Sequence, residues 1–238
     1  MLKKNAVFFD IDDTLLDNYA AFKCTIKKFF PNLSFDENYF MQLYRDFRHH
    51  SEEIYQQYHE GQIVHNYNRW LSILKKLEVT NDSKIIDLDN YYHECQSKQT
   101  LSAEMTILLQ VLKRADIFCG VLTNGFTRQQ QAKLDQLELS RFIDPKWQFI
   151  SESLGDAKPN VSCFQKVAAK IPESITRILY LGDSYRNDII PAQAANWEPI
   201  WLNRFADKGE LSVLEAKTSS EAVIVLLSRL LSSSNVNA

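Results

Sequence analysis

Short, unbroken apolar runs alternate along the chain with stretches whose apolar residues recur every three or four positions. Ala6–Ile11, Ile117–Leu122 and Ile178–Leu181 are rich in β-branched and aromatic residues and stop at polar residues or glycine, which predicts buried strands. Gln148–Ile150 and Pro199–Leu202 give two weaker ones. Helical spacing covers Glu104–Arg114, Arg128–Leu137, Val161–Ala169 and Ile189–Ala195. Strands that are apolar throughout and alternate with helices predict an α/β fold, a doubly wound parallel sheet covered on both faces. Reactive groups in such sheets gather outside the carboxyl ends of the strands. The polar residues that end these strands are therefore where chemistry is expected.

The stretch from Asp17 to Gln99 follows another pattern. It has one glycine, Gly61, one proline, Pro31, and no β-rich run, while Phe40, Leu43, Tyr44 and Phe47 fall at helical spacing. It holds eight of the ten tyrosines. This predicts an all-helical domain, residues 17–99, inserted into an α/β core made of residues 1–16 and 100–238. Near the end, Thr218-Ser219-Ser220-Glu221 before Ala222–Leu231 is a capping-box signature for a terminal helix.

Composition narrows the function classes. With 45% hydrophobic and 24% charged residues in 238, wholesale disorder is not expected. A net charge of -3 gives no broad electrostatic case for a nucleic-acid polymer. Cys24, Cys95, Cys119 and Cys163 are far apart in sequence with no CxxC pair, so neither a zinc site nor a disulfide framework is expected. The longest uncharged apolar run outside the first strand, Ala222–Leu227, is too short to span a bilayer. The expectation is a cytoplasmic protein, monomer or weak dimer, with no membrane partner.

Chemistry concentrates at four places. The first strand ends Asp10-Ile11-Asp12-Asp13-Thr14, three carboxylates in four residues that repel one another unless positive charge sits among them. The second ends Thr123-Asn124-Gly125. Lys158 follows a glycine loop in Gly155-Asp156-Ala157-Lys158-Pro159. The run Gly182-Asp183-Ser184-Tyr185-Arg186-Asn187-Asp188 comes after Ile178–Leu181. Four of the six glycines, Gly120, Gly125, Gly155 and Gly182, lie in or beside these clusters.

That ordered set closely resembles the haloacid dehalogenase superfamily, in particular its phosphatases with a helical C1-type cap. The resemblance covers Ala6 to about Asn203 and looks most like the pyrimidine 5′-nucleotidase branch. Pro191 and Asn196 depart from that branch, standing where glycines are common. The resemblance implies Asp10 as nucleophile, Asp12 as acid and base, and Thr123, Asn124 and Lys158 around the phosphate. It implies a Mg²⁺ held by Asp10, the main chain at Asp12 and Asp183, with Asp188 behind them. Asp13 and Thr14 are expected to shape the turn.

Elementary chemistry supports those roles. A phosphate monoester is a dianion, so attack by a carboxylate needs concentrated positive charge, and a lysine plus a hard cation on oxygen ligands supply it. The expected activity is Mg²⁺-dependent hydrolysis of a small-molecule phosphate ester through an aspartyl-phosphate. Nucleoside monophosphates are favoured, because the aromatic-rich insert could stack a base. The alternatives are a sugar phosphomutase, a phosphoglycolate-type phosphatase and a haloacid dehalogenase. The last needs no acid at Asp12. A non-catalytic module on the same scaffold would have signalled itself by losing Asp10 or Lys158. A receiver-like domain would lack the insert of about 80 residues, which is far beyond an ordinary βα connection.

Overall fold

The computed structural model describes residues 4–33, 36–59, 66–79 and 82–232. The chain divides into two compact units, Met1–Leu16 with Thr100–Ala238, and Asp17–Gln99.

The first unit is built on six parallel strands, β1 (Lys4–Phe9), β2 (Phe118–Thr123), β3 (Gln148–Ile150), β4 (Ile175–Gly182), β5 (Glu198–Leu202) and β6 (Leu214–Ala216). Their order is β3-β2-β1-β4-β5-β6. Successive residues of β1 face opposite sides. Val7 and Phe9 join one buried cluster with Met105, Leu108 and Leu112 of α5 (Ala103–Arg114), and with Leu226 and Leu230 of α10 (Ser219–Ser232). Ala6 and Phe8 join the other, with Phe164 and Val167 of α8 (Val161–Ala168), Ala192 and Trp197. Both faces are buried, which is why these strands read as continuous apolar runs. β6 is short and half-exposed, with Leu214 and Glu215 turned outward, and carries no such signal. The remaining helices of this unit are α6 (Thr127–Gln136), α7 (Ser151–Leu154) and α9 (Ile190–Ala194).

The two positions where the chain departs from glycine have local reasons. Asn196 has φ 60°, in the left-handed region that asparagine tolerates better than most residues. Pro191 is the second residue of α9, and its ring holds φ near the helical value.

The second unit contains α1 (Asn18–Phe29), α2 (Glu37–His59), α3 (Arg69–Lys76) and α4 (Ile85–Gln96), with α1 packed on α4 and α2 on α3. Phe22, Tyr44, Phe47, Trp70 and Tyr92 are fully or nearly fully buried in its core. Phe22 stacks on Trp70 at 5.7 Å between ring centroids, and Phe47 meets the same indole at 4.6 Å. These rings are committed to one another, so they cannot stack a ligand's base.

A polar knot ties α3 to α4. Asp89 accepts from Arg69 Nη2 at 2.8 Å and from Trp70 Nε1 at 3.0 Å, and the Arg69 guanidinium lies over the Phe47 and Tyr92 rings. Burial alone would raise the Asp89 carboxyl. His93 and Arg69 outweigh it and hold the group well below the usual carboxylate range. A depressed folded value means stability that is complete above the unfolded value of about 4 and is lost as pH falls through the folded one. Asp89→Asn is therefore expected to cost about 2 kcal/mol at neutral pH. The deficit should shrink steadily below about pH 4. Thermal melts of both proteins from neutral to strongly acid pH check this. A deficit independent of pH would mean the carboxylate charge is not the stabilising element.

Candidate active site

Parallel register brings the motif residues together. Phe9, the last residue of β1, pairs with Val121 of β2 on one side and Leu181 of β4 on the other. Asp10 thus emerges between Thr123 and Asp183, and its N–H donates to Leu181 O at 2.9 Å. β1 is also where strand order reverses direction, the place where α/β sheets open a crevice.

Lys158 is buried at the centre of the cluster. Its Nζ donates to Asp10 Oδ1 at 2.8 Å, Asp188 Oδ1 at 2.5 Å and the Tyr180 hydroxyl at 3.1 Å. The loop that presents it is clamped on both sides by one residue. Asn124 Nδ2 donates to Lys158 O at 2.7 Å, and Asn124 Oδ1 accepts from Lys158 N at 2.9 Å. The Asn124 side chain, expected at the phosphate, thus positions the lysine. The second Nδ2 hydrogen and the main-chain N–H of Asn124 take no part in these two bonds.

Asp188 is carried by a π-helical turn, Tyr185–Ile189, that begins at Ser184. Such wide turns recur at functional sites. This one turns the carboxylate back on the strand end, where Asp188 Oδ2 accepts from Ser184 N at 2.9 Å. Gly182 makes the room: a Cβ there would lie 2.5 Å from Asp188 Cγ and Oδ2. On the other flank, Trp201 of β5 donates its indole N–H to Asp183 O at 2.8 Å.

Asp10, Asp183 and Asp188 each offer an oxygen within 4.8 Å of the others, and all three are buried. One ammonium touches two of these three carboxylates, Asp10 and Asp188. Burial, opposed by Lys158 and reinforced by Asp188 and Asp12, pushes Asp10 up to about 7. Burial also works against the Lys158 charge, but Asp10 and Asp188 outweigh it and hold the ammonium well above the ordinary lysine value. A donor set of hard oxygens only, with negative charge in excess, is chemistry that fits Mg²⁺.

Asp12 stands apart from this trio. Lys133 Nζ donates to both its carboxylate oxygens, at 2.7 and 2.8 Å, and Gln130 Nε2 to Oδ2 at 3.1 Å. The same Gln130 amide donates to Thr123 Oγ1 at 2.6 Å, which leaves the threonine O–H to donate elsewhere. Asp13 takes a positive φ of 58° and its N–H donates to Leu16 O at 2.9 Å, so it turns the chain. Thr14 is buried, and its Oγ1 has no hydrogen-bond partner among the described residues.

Sequence reasoning passed over Gln130, Lys133, Tyr180 and Trp201. The first two sit at i and i+3 on the helix after Thr123, a spacing that puts both on one face. Tyr180 was hidden in an apolar run, although a buried tyrosine hydroxyl always needs a partner. Trp201, which the sequence shows only as part of the apolar run Pro199–Leu202, also props the Asp183 main chain.

Residues 4–196 match the haloacid dehalogenase-like hydrolase family. The glyceraldehyde 3-phosphate phosphatase of Methanothermobacter thermautotrophicus is 27% identical over 97% of this chain and 98% of its own. The pyrimidine 5′-nucleotidase YjjG of Escherichia coli is 25% identical over 85% and 87%. Among solved structures, the HAD-hydrolase YfnB of Bacillus subtilis bound to magnesium superimposes with a TM-score of 0.67 at 21% identity, covering 94% of this chain and 99% of that one. With the motif residues gathered at the carboxyl ends of the central strands and the family match spanning most of its length, the chain belongs to the haloacid dehalogenase-like hydrolases and is an enzyme.

Proposed function

We propose that this hydrolase is a Mg²⁺-dependent phosphomonoesterase that acts on a small organic phosphate through an aspartyl-phosphate on Asp10. The observation that carries the reading is one buried carboxylate held by Lys158 and grouped with Asp183 and Asp188, with a second, Asp12, kept outside that group. Asp10, Asp183 and the Asp12 main chain would hold the Mg²⁺, with Asp188 behind them; the ion supplies charge neutralisation for the phosphoryl oxygens. Relatives named as phosphatases and a fold neighbour bound to magnesium point the same way.

Asp10 attacks the phosphorus and the ester oxygen leaves. Lys158 orients Asp10 and takes a phosphoryl oxygen, which must replace one of its three present acceptors. Thr123 Oγ and neighbouring main-chain N–H groups bind the other oxygens. Asp12 protonates the departing alcohol and then removes a proton from the water that cleaves the acyl phosphate. Lys133 and Gln130 hold Asp12 in register for both transfers. A dehalogenase would have no use for an acid at this position.

The core residues read only the phosphoryl group, so we assign selection among esters to the helical unit, residues 17–99. Its buried aromatics are spent on its own core, which leaves the partly exposed Tyr19, Tyr39, Tyr55, Tyr67 and Tyr91 for stacking a base, and the likeness to a pyrimidine 5′-nucleotidase also supports nucleoside monophosphates. The test is a panel of nucleoside monophosphates, triose phosphates, hexose phosphates and phosphoglycolate, with and without Mg²⁺. Hydrolysis should vanish on chelation and return with Mg²⁺ but only weakly with Ca²⁺. Full activity after exhaustive chelation, or halide release from a 2-haloacid, would sink the reading.

Leaving-group dependence checks Asp12. Asp12→Asn should lose about 10²–10⁴-fold on alkyl phosphates and far less on p-nitrophenyl phosphate, whose leaving group needs no proton. Equal losses on both would take Asp12 out of the acid role.

A further inference from the structure

The two cysteines of the helical unit, 71 residues apart in sequence, meet across the α1–α4 contact. Cys24 Sγ and Cys95 Sγ are 2.7 Å apart, well inside ordinary contact between two sulfurs and less than an ångström from the ~2.05 Å of a covalent S–S bond. Cys24 lies on α1 and is exposed, so a solute can reach it; Cys95 lies on α4 and is buried. The other two cysteines are a built-in contrast. Cys119 and Cys163 are buried in clusters on opposite faces of the sheet, where neither can reach a partner. We propose that Cys24 and Cys95 form a reversible disulfide, so that the helical unit carries a redox modification site for a low-molecular-weight disulfide such as oxidised glutathione.

The steps balance. Cys24 thiolate attacks one sulfur of oxidised glutathione, forming a mixed disulfide and releasing one glutathione thiolate. Cys95 then loses its proton and attacks Cys24 Sγ, forming the Cys24–Cys95 bond and releasing the second. The two protein thiols give up two protons and two electrons, and one glutathione disulfide becomes two thiols. Burial and the contact with Cys24 push the Cys95 thiol up to about 11, which makes Cys24 the entry point and Cys95 the resolving group.

The bond would staple the first and last helices of the unit, closing nearly all of it into one loop. A crosslink over so long a loop restricts the unfolded chain strongly. The helical unit should then melt higher by at least about 5 °C.

The test uses the full chain in glutathione buffers of graded ratio, read by thiol titration, intact mass and peptide mapping. In fully oxidised glutathione, two of the four thiols should disappear, the mass should fall by two hydrogens, and one Cys24–Cys95 peptide pair should appear. Reduced glutathione should reverse all three. Cys95→Ser should stop at a glutathione adduct on Cys24, and Cys24→Ser should keep its remaining thiols. Wild-type protein that keeps four thiols, holds glutathione on Cys24 without resolving it, or links through Cys119 or Cys163 would overturn the proposal. These readouts need no substrate, so they stand whatever ester the enzyme hydrolyses.

Discussion

Asp10→Asn is expected to lower turnover by at least about 10⁴-fold while leaving the melting temperature near that of the wild type. The amide keeps the shape of the carboxyl, Asp188 keeps Lys158 paired, and burial with the neighbouring carboxylates already disfavours the Asp10 charge, so the fold is undisturbed. What disappears is the proposed nucleophile and one charge of the acidic trio, and on this reading the two act together. The loss should therefore resemble that of removing the whole constellation. Single-turnover assays with a good and a poor leaving group check this, since loss of a nucleophile is not rescued by an easier departure. A variant with a tenth of wild-type turnover on any substrate would show that Asp10 does not form the covalent bond.

Lys158→Met should damage both stability and chemistry. Methionine fills the channel of the aliphatic stem but leaves Asp10 and Asp188 buried without the ammonium that both now touch. Removing one partner of a buried ion pair costs about 3–5 kcal/mol. Turnover should fall at least about 10³-fold if Lys158 neutralises the phosphoryl oxygens as proposed. Denaturant melts with and without Mg²⁺ separate the two effects. The cation should restore part of the stability by matching the carboxylates, but it cannot restore the contact proposed between the lysine and substrate. Activity returning together with stability would reduce Lys158 to a structural counter-charge.

How far the residues alone foretold this arrangement depends on the kind of signal each carries. Strand interiors were readable because burial on both faces leaves only apolar residues, as in Val7, Phe8 and Phe9. The missed strand, Leu214–Ala216, sits at the sheet edge with two of its three residues exposed, where that constraint lapses. The turn at Tyr185–Ile189 reads in the sequence as a polar cluster ahead of a helix starting at Ile189, because Tyr185, Arg186, Asn187 and Asp188 offer no apolar spacing that would mark a helical turn. Within the site, Asp10, Thr123, Lys158, Asp183 and Asp188 stand at strand ends or glycine loops, where charge is conspicuous. Gln130 and Lys133 were hidden among the polar residues of a helix whose apolar face is narrow, Thr127–Gln136. Nothing in the sequence order shows that Asn124 would turn to the Lys158 main chain, since that contact spans 34 residues.

The close approach of Gly182 to Asp188 constrains how this site can vary by descent. Any side chain at Gly182 intrudes on the carboxylate six positions later, so Asp188 and its glycine can change only in a linked order. A lineage that first shortens Asp188 opens space in which a larger residue at 182 becomes neutral. A lineage that first enlarges Gly182 must displace the carboxylate that accepts from both Lys158 and Ser184. The two routes to the same double variant are thus unequal. Once an alanine has settled behind a shortened acid, reverting position 188 alone no longer rebuilds the site, which makes loss of this acidic group a ratchet.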